Sequence, residues 1–289
     1  MKKAEGYGIV QVTHEERTAG ALGEGRFTEA LRTFRDAGLV VLEGVYDPAW
    51  VADLRRAFDR ALKERMAAVG GLKGVQQTAH EKNHLSFYPP LVPPFSDPQI
   101  VLNPIATQVM EGLLGGDLRC TYYHSNTSYP GSGTQGVHRD SGLLFGPEVS
   151  VPLPVTHLVL NVPLCDFTEA NGSTEVWPGT HLIVDHALDD RGKLAERAAA
   201  LASIRTNVPL GSLILRDLRT WHRGMPNRTR SARTMLALVY RRGWTGDGTR
   251  LDIPQETWDG WPERARRIFR GNAVIKDIEE QPCVSGQSS

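Results

Sequence analysis

The segment Met235-Leu236-Ala237-Leu238-Val239-Tyr240 closes a series of short apolar or alternating runs, and the spacing of that series decides the fold class. The earlier members are Leu118 to Tyr123, Thr156 to Leu164, Ser173 to Trp177 and Ser212 to Leu215. Clusters of Gly, Pro, Asn and Asp separate them. Short strands punctuated in this way predict an all-β sandwich or barrel. One helical insertion, roughly Asp189 to Ala202, interrupts the series.

Outward from this core, the preceding sequence changes period. Phe27, Leu31 and Phe34 recur at helical spacing, and Gly38 supplies a stop. Leu39-Val40-Val41-Leu42 reads as a short strand. Asp47-Pro48 is an N-cap and first-turn pair, and Val51, Leu54, Phe58 and Leu62 behind it mark one helix face. A further helix is predicted over Pro98 to Leu114, ending near Gly115-Gly116. The expected organisation is mainly β with flanking helices in a single domain spanning 1–289. Its parts are a helical portion of about 20–116, a β core of about 117–243 and a C-terminal segment 244–289. Gln281 to Ser289 read as a loose tail.

Composition narrows the function classes. Lys plus Arg equals Asp plus Glu, so the formal net charge is zero, which argues against a general nucleic-acid binder. Arginines between Arg223 and Arg242 are mixed with turn residues and an apolar strand, a pattern that suits a local anion site. The first residues lack the apolar stretch of a secretory signal, and no run approaches a membrane span. Cys120, Cys165 and Cys283 are odd in number and far apart, which fits reduced thiols and a cytoplasmic setting.

The chemistry-bearing motif is Gln135-Gly136-Val137-His138-Arg139-Asp140. On a strand, residues two apart share a face, so the imidazole of His138 and the carboxylate of Asp140 can converge on one ion. In a chain with nine histidines, His-x-Asp alone is a weak signal. It gains weight from Gly211 to Leu215, a turn and strand running toward Trp221-His222-Arg223-Gly224. His222 would complete a two-His-one-carboxylate set, which leaves three metal positions open, as an iron(II) oxygenase requires. Arg233 opens the strand Thr234 to Tyr240, which is expected to pair near the strand carrying His222. Its guanidinium offers a planar fork for the far carboxylate of a metal-chelating 2-oxo acid.

These residues resemble the phytanoyl-CoA dioxygenase family of iron- and 2-oxoglutarate-dependent oxygenases. The likeness runs from about Phe27 to Tyr240. It is carried by Asp36 to Leu42, His138-Arg139-Asp140, Asn171-Gly172-Ser173-Thr174-Glu175-Val176-Trp177-Pro178-Gly179-Thr180-His181, Trp221-His222, and Arg233 eleven residues on. The resemblance implies a double-stranded β-helix (jelly-roll) fold and Fe(II) held by His138, Asp140 and His222. It further implies 2-oxoglutarate clamped by Arg233, with Gln135 and Thr174 as further contacts, and O₂ as the second cosubstrate. The family often carries a tryptophan on the strand that here begins Thr156-His157, and none stands there. Asp140 is informative as well: related halogenases replace this carboxylate with a small residue, so its presence points to hydroxylation, desaturation or a related oxidation. The substrate implied is a small organic molecule, in the style of biosynthetic tailoring enzymes. Some relatives use the C-terminal region in a dimer, which leaves a homodimer open.

Two other readings compete. His80-Glu81-Lys82-Asn83-His84 matches the zinc metallopeptidase signature, which needs a helix to bring both imidazoles to one face. No apolar helical stripe surrounds it, and Pro89-Pro90 follows closely. In the oxygenase reading this stretch borders the pocket mouth, with His84 or Phe87 touching substrate. A non-catalytic jelly-roll binding protein is the other alternative. His138-Arg139-Asp140 also matches the start of a kinase catalytic loop, but Phe145 stands where that loop needs Asn, and there is no Gly-rich phosphate loop.

Overall fold

The computed structural model describes residues 8–75, 82–246 and 250–276. Ten strands build two facing sheets: β1 Ile9–Gln11, β2 Leu39–Glu43, β3 His84–Phe87, β4 Leu118–Ser128, β5 His157–Pro163, β6 Glu175–Val176, β7 Ile204–Arg205, β8 Leu213–Asp217, β9 His222–Arg223 and β10 Arg233–Arg242. The larger sheet has the order β1-β2-β8-β5-β10-β4-β3, and the smaller has the order β7-β6-β9. An isolated antiparallel bridge between His138 and His222 adds a fourth rung to the smaller sheet. This is the jelly-roll arrangement expected of the resemblance.

The period of two along β10 divides the molecule. Leu236, Leu238 and Tyr240 are fully buried on the face covered by the helices Pro48–Ala68 and Pro104–Leu114, where they join Phe58, Ile105 and Val109 in the main core. Arg233, Met235, Ala237, Val239 and Arg241 point the other way, into a cavity between the sheets. Burying the apolar face under amphipathic helices is what leaves the opposite face free to carry polar chemistry.

Several boundaries differ from expectation for local reasons. The helix predicted over Pro98 to Leu114 is two, Pro98–Val101 and Pro104–Leu114. Pro104 lacks the N–H that a continuous helix would use, and the Asn103 side chain instead caps the second helix by accepting from the Ala106 N–H at 3.0 Å. The insertion shortens to Arg191–Ala199. Gly38 ends the helix Glu24–Ala37 at φ 77°, a left-handed conformation suited to glycine, and so turns the chain into β2. The strand β3, which begins at His84 of the zinc signature, pairs with the edge of β4. In the C-terminal segment, Trp261 is buried against Phe269 at 4.8 Å between centroids and donates to the Ser96 carbonyl, whereas Trp244 is exposed. Cys283 and the tail Gln281 to Ser289 lie outside the described residues.

Candidate metal centre

His138, Asp140 and His222 bring one ligand atom each to within 4.8 Å of one another. Backbone pairing sets this convergence. The His138 N–H donates to the His222 carbonyl and the His222 N–H to the His138 carbonyl, both at 3.0 Å, and the Asp140 N–H donates to the Leu218 carbonyl at 2.9 Å. The expected regular strand at His-x-Asp is therefore a single bridge followed by a bend, held in register by β9.

The turn that delivers His222 is itself braced. Asp217, 1% exposed, takes the Arg219 Nε and Nη2 at 2.9 and 2.7 Å, a bidentate pair. Trp221 is fully buried, and its backbone N–H donates to the Thr180 hydroxyl at 3.0 Å. In each ligand histidine, Nδ1 donates to a nearby carbonyl: His138 to Gly136 at 2.9 Å and His222 to Thr220 at 3.1 Å. This fixes the tautomer that leaves the Nε2 lone pair free, as metal-binding imidazoles require. Both Nε2 atoms face Asp140, His138 at 3.7 Å from Oδ1 and His222 at 3.5 Å from Oδ2. Burial holds His222 well below the usual imidazole range, with Arg216 adding to the effect against the pull of Asp140, so the ring is neutral. Burial would raise the Asp140 carboxyl, but it is held well below the usual carboxylate range by the imidazoles of His222 and His138 where these are protonated and by the Arg216 guanidinium throughout.

The cavity has a volume of about 510 Å³, and the three ligand side chains line it. Arg233 lines it too. It does not pair beside the strand carrying His222, as expected; β10 pairs with β4 and β5 in the opposite sheet. The reason is that β9 is already flanked by β6 and His138, so the guanidinium reaches the cavity from across it. Arg233 is 3% exposed, stacks over Phe167 at 4.9 Å, and has Nε and Nη1 buried without a hydrogen-bond partner. Burial lowers its guanidinium to about 10. A buried cation with two idle donors implies an anionic guest.

Gln135 and Thr174 also line the cavity. The Gln135 amide oxygen accepts from the Gly224 N–H at 2.7 Å, which leaves its amide nitrogen as the donor for a guest. Gly224 leaves room for this contact: a Cβ would lie 2.5 Å from that oxygen and 2.7 Å from His84 Cε1, and both side chains would have to shift. On the strand without tryptophan, His157, Val159 and Asn161 take up the cavity face. His84 lines the cavity, although its Nε2–H is committed to the Gly133 carbonyl at 2.6 Å.

Phe87 is a correction. Alternation along β3 turns it away from the cavity into the main core, edge-on to Phe58 at 5.6 Å. We expect Phe87→Ala to cost about 3–5 kcal/mol in urea unfolding, as a buried aromatic truncation does, without a direct effect on ligand affinity. The zinc signature also fails locally. His84 lies on a strand and Asn83 is left-handed at φ 60°, so no helix joins them; His80 and Glu81 lie outside the described residues.

Arg216 was not anticipated. It is buried, lines the cavity and donates from Nη2 to Asp140 Oδ2 at 2.6 Å. The available signal was a charge at an inward position of the apolar run Leu213-Ile214-Leu215. The remaining cavity wall mixes aliphatic side chains, among them Leu39, Ile214 and Val239, with Tyr122 and His124. Tyr122 and His124 have ring centroids 4.5 Å apart, and the Tyr88 and Tyr122 hydroxyls are 2.9 Å apart.

Burial lowers both His124 and His157 to about 4. The unfolded chain takes up protons on these rings near pH 6.5, whereas the folded chain resists until about 4. Stability is therefore lost as pH falls through that window. We expect about 1 kcal/mol per ring after allowing for hydration on the cavity side. Urea midpoints between pH 7 and 4.5 test this, with a flatter profile expected for the His124→Gln/His157→Gln variant.

Comparison with known proteins agrees with this architecture. A curated relative, a dioxygenase from Aspergillus aculeatus, is 24% identical over 254 residues, covering 83% of this chain and 80% of its own. The non-haem α-ketoglutarate-dependent carbocyclase SnoK from nogalamycin biosynthesis superposes with a TM-score of 0.57 at 21% identity, over 76% of this chain and 84% of that one. Iron-bound EctD from S. alaskensis gives 0.56 at 20% identity, over 79% of each chain. No described helix is long and apolar enough to cross a membrane. The family model for phytanoyl-CoA dioxygenase matches residues 34–235, more than two thirds of the sequence, and the chain belongs to that family of iron- and 2-oxoglutarate-dependent oxygenases.

Proposed function

We propose that this protein oxidises a small organic molecule in biosynthetic tailoring, with Fe(II) held by His138, Asp140 and His222 and 2-oxoglutarate anchored by Arg233. The observation that carries the reading is that one cavity holds both a three-ligand cluster and a buried guanidinium with two idle N–H donors. The donor set suits iron(II), since two neutral imidazoles and one carboxylate leave open positions for a bidentate 2-oxo acid and O₂. When bound, the iron supplies the oxidising chemistry, coupled to conversion of 2-oxoglutarate and O₂ to succinate and CO₂.

The protein's part is positioning. Arg233 fixes the far C5 carboxylate, and Gln135 and Thr174 offer polar contacts to the cosubstrate. Asp140 takes up the place that a halide would need, so the outcome is hydroxylation, desaturation or a related oxidation. Tyr122 and His124 form the wall offered to substrate. The tailoring role draws support from the relatives: the carbocyclase SnoK and the epimerase SnoN both come from nogalamycin biosynthesis, and SnoN has been seen with Fe³⁺, α-ketoglutarate and nogalamycin RO. A cytoplasmic location fits the cysteines, of which Cys120 and Cys165 are free thiols. A neutral net charge supports a reading without nucleic acid. Homodimerisation through the C-terminal segment is part of the proposal and is read by light scattering.

Anaerobic titration of Fe(II) and 2-oxoglutarate into apoprotein tests the function. A visible metal-to-ligand charge-transfer band is the expected result. Folded protein that binds metal without producing the band would overturn the oxygenase reading in favour of a non-catalytic binding protein.

A further inference from the structure

We infer that Arg216 is a positioning residue that fixes the orientation of the Asp140 carboxylate at the metal site and offsets that carboxylate's charge; this rests on the iron and 2-oxoglutarate reading. Each proposed ligand has one fixed outer partner. For His138 and His222 that partner is a carbonyl accepting from Nδ1, at 2.9 and 3.1 Å. Asp140 stands on a bend beyond the bridge, where the Leu218 carbonyl fixes its backbone N–H at 2.9 Å while its side chain stays 35% exposed, so the carboxylate needs a partner of its own. Arg216 aims it, from Nη2 to Oδ2 at 2.6 Å.

That contact divides the two carboxylate oxygens. Oδ2 accepts from Arg216 and lies 3.5 Å from His222 Nε2, whereas Oδ1 lies 3.7 Å from His138 Nε2, so the guanidinium sets the orientation in which each oxygen meets one imidazole. Arg216 stays at its post because β8 holds it rigidly: its backbone pairs with Leu39 on β2 and Val159 on β5. Both neighbours are apolar, and Asp140 is the carboxylate to which Arg216 is ion-paired among the described residues. Of the cavity arginines, Arg233 faces the far carboxylate of 2-oxoglutarate in the proposed reading, and Arg216 supplies the cation beside the Asp140 carboxylate. Because the guanidinium also draws electron density from the carboxylate, Asp140 donates less to the metal than an unpaired aspartate would.

The test compares native protein with Arg216→Met and Arg216→Lys, reading iron(II) affinity and the anaerobic charge-transfer band, with circular dichroism to establish folding. For Arg216→Met we expect iron binding about 10–100-fold weaker, the usual cost of losing an outer-shell partner. The band that remains should move to longer wavelength, because a freed carboxylate raises the energy of the iron electrons. Arg216→Lys, which keeps the charge, should restore the band position in large part. Affinity and band position unchanged in folded Arg216→Met would overturn the inference while leaving the iron site intact. Absence of a band from the native protein would overturn the site itself, and the inference with it. Should Arg216→Met not fold, an unshifted band and native affinity in Arg216→Gln would count against the proposal equally.

Discussion

His222→Ala is expected to lose stoichiometric iron(II) binding and, with it, the visible band formed with 2-oxoglutarate. His138 and Asp140 belong to one tripeptide, whereas His222 arrives from the opposite end of the β core and is the ligand that closes the set. Removing it leaves two ligands, and the loss should exceed the roughly 100-fold that follows from disturbing an outer partner alone. The fold should survive. The cross-strand bond between residues 138 and 222 is made by backbone atoms, and Trp221 continues to anchor the turn. Equilibrium dialysis of iron against the variant, with circular dichroism alongside, reads both effects. Native-like iron binding by folded His222→Ala would place the metal elsewhere.

Arg233→Met is expected to act in opposite directions on two measurements. In the unliganded protein, Arg233 is a buried cation with Nε and Nη1 unpaired. Replacing it with an apolar chain of similar length removes an uncompensated desolvation cost, so the apoprotein should be unchanged or more stable, by about 1–2 kcal/mol. With 2-oxoglutarate the sign reverses. Two charge-assisted hydrogen bonds to the C5 carboxylate disappear, which weakens binding by about 2–4 kcal/mol, or about 30- to 1000-fold. Arg233→Lys keeps the charge but loses the planar fork, and should fall between. Thermal unfolding of apoprotein and the 2-oxoglutarate dependence of the anaerobic band check the two arms. Equal 2-oxoglutarate requirements in native and Arg233→Met protein would remove Arg233 from the cosubstrate site. Such opposed effects separate a residue retained for binding from one retained for stability.

Much of this architecture is legible in the linear chain because the signals are local. Period two along Met235 to Tyr240, the left-handed stop at Gly38 and the Asp47-Pro48 cap are properties of neighbouring residues, and each forms the predicted element. His-x-Asp, His222 and Arg233 were nameable because their chemistry is tied to residue type and order. The one-helix reading of Pro98 to Leu114 failed on a local signal that was present, the Asn103-Pro104 start.

What the tertiary structure alone decided concerns residues that meet only after folding. β10 lies between β4 and β5, so Arg233 faces His138, Asp140 and His222 from across the cavity; no local pattern specifies which strands become neighbours. Phe87 reads as a pocket residue in the chain, yet pairing with β4 turns it toward Phe58 and leaves His84 on the cavity side, because a strand's two faces are assigned by its register. Arg216 is one arginine among many until β8 sets it 2.6 Å from Asp140. Residue type and order therefore determined the reactive groups and the strands that carry them. Long-range pairing determined which of those groups share a cavity, since sheet register depends on burying whole faces at once and not on any one segment.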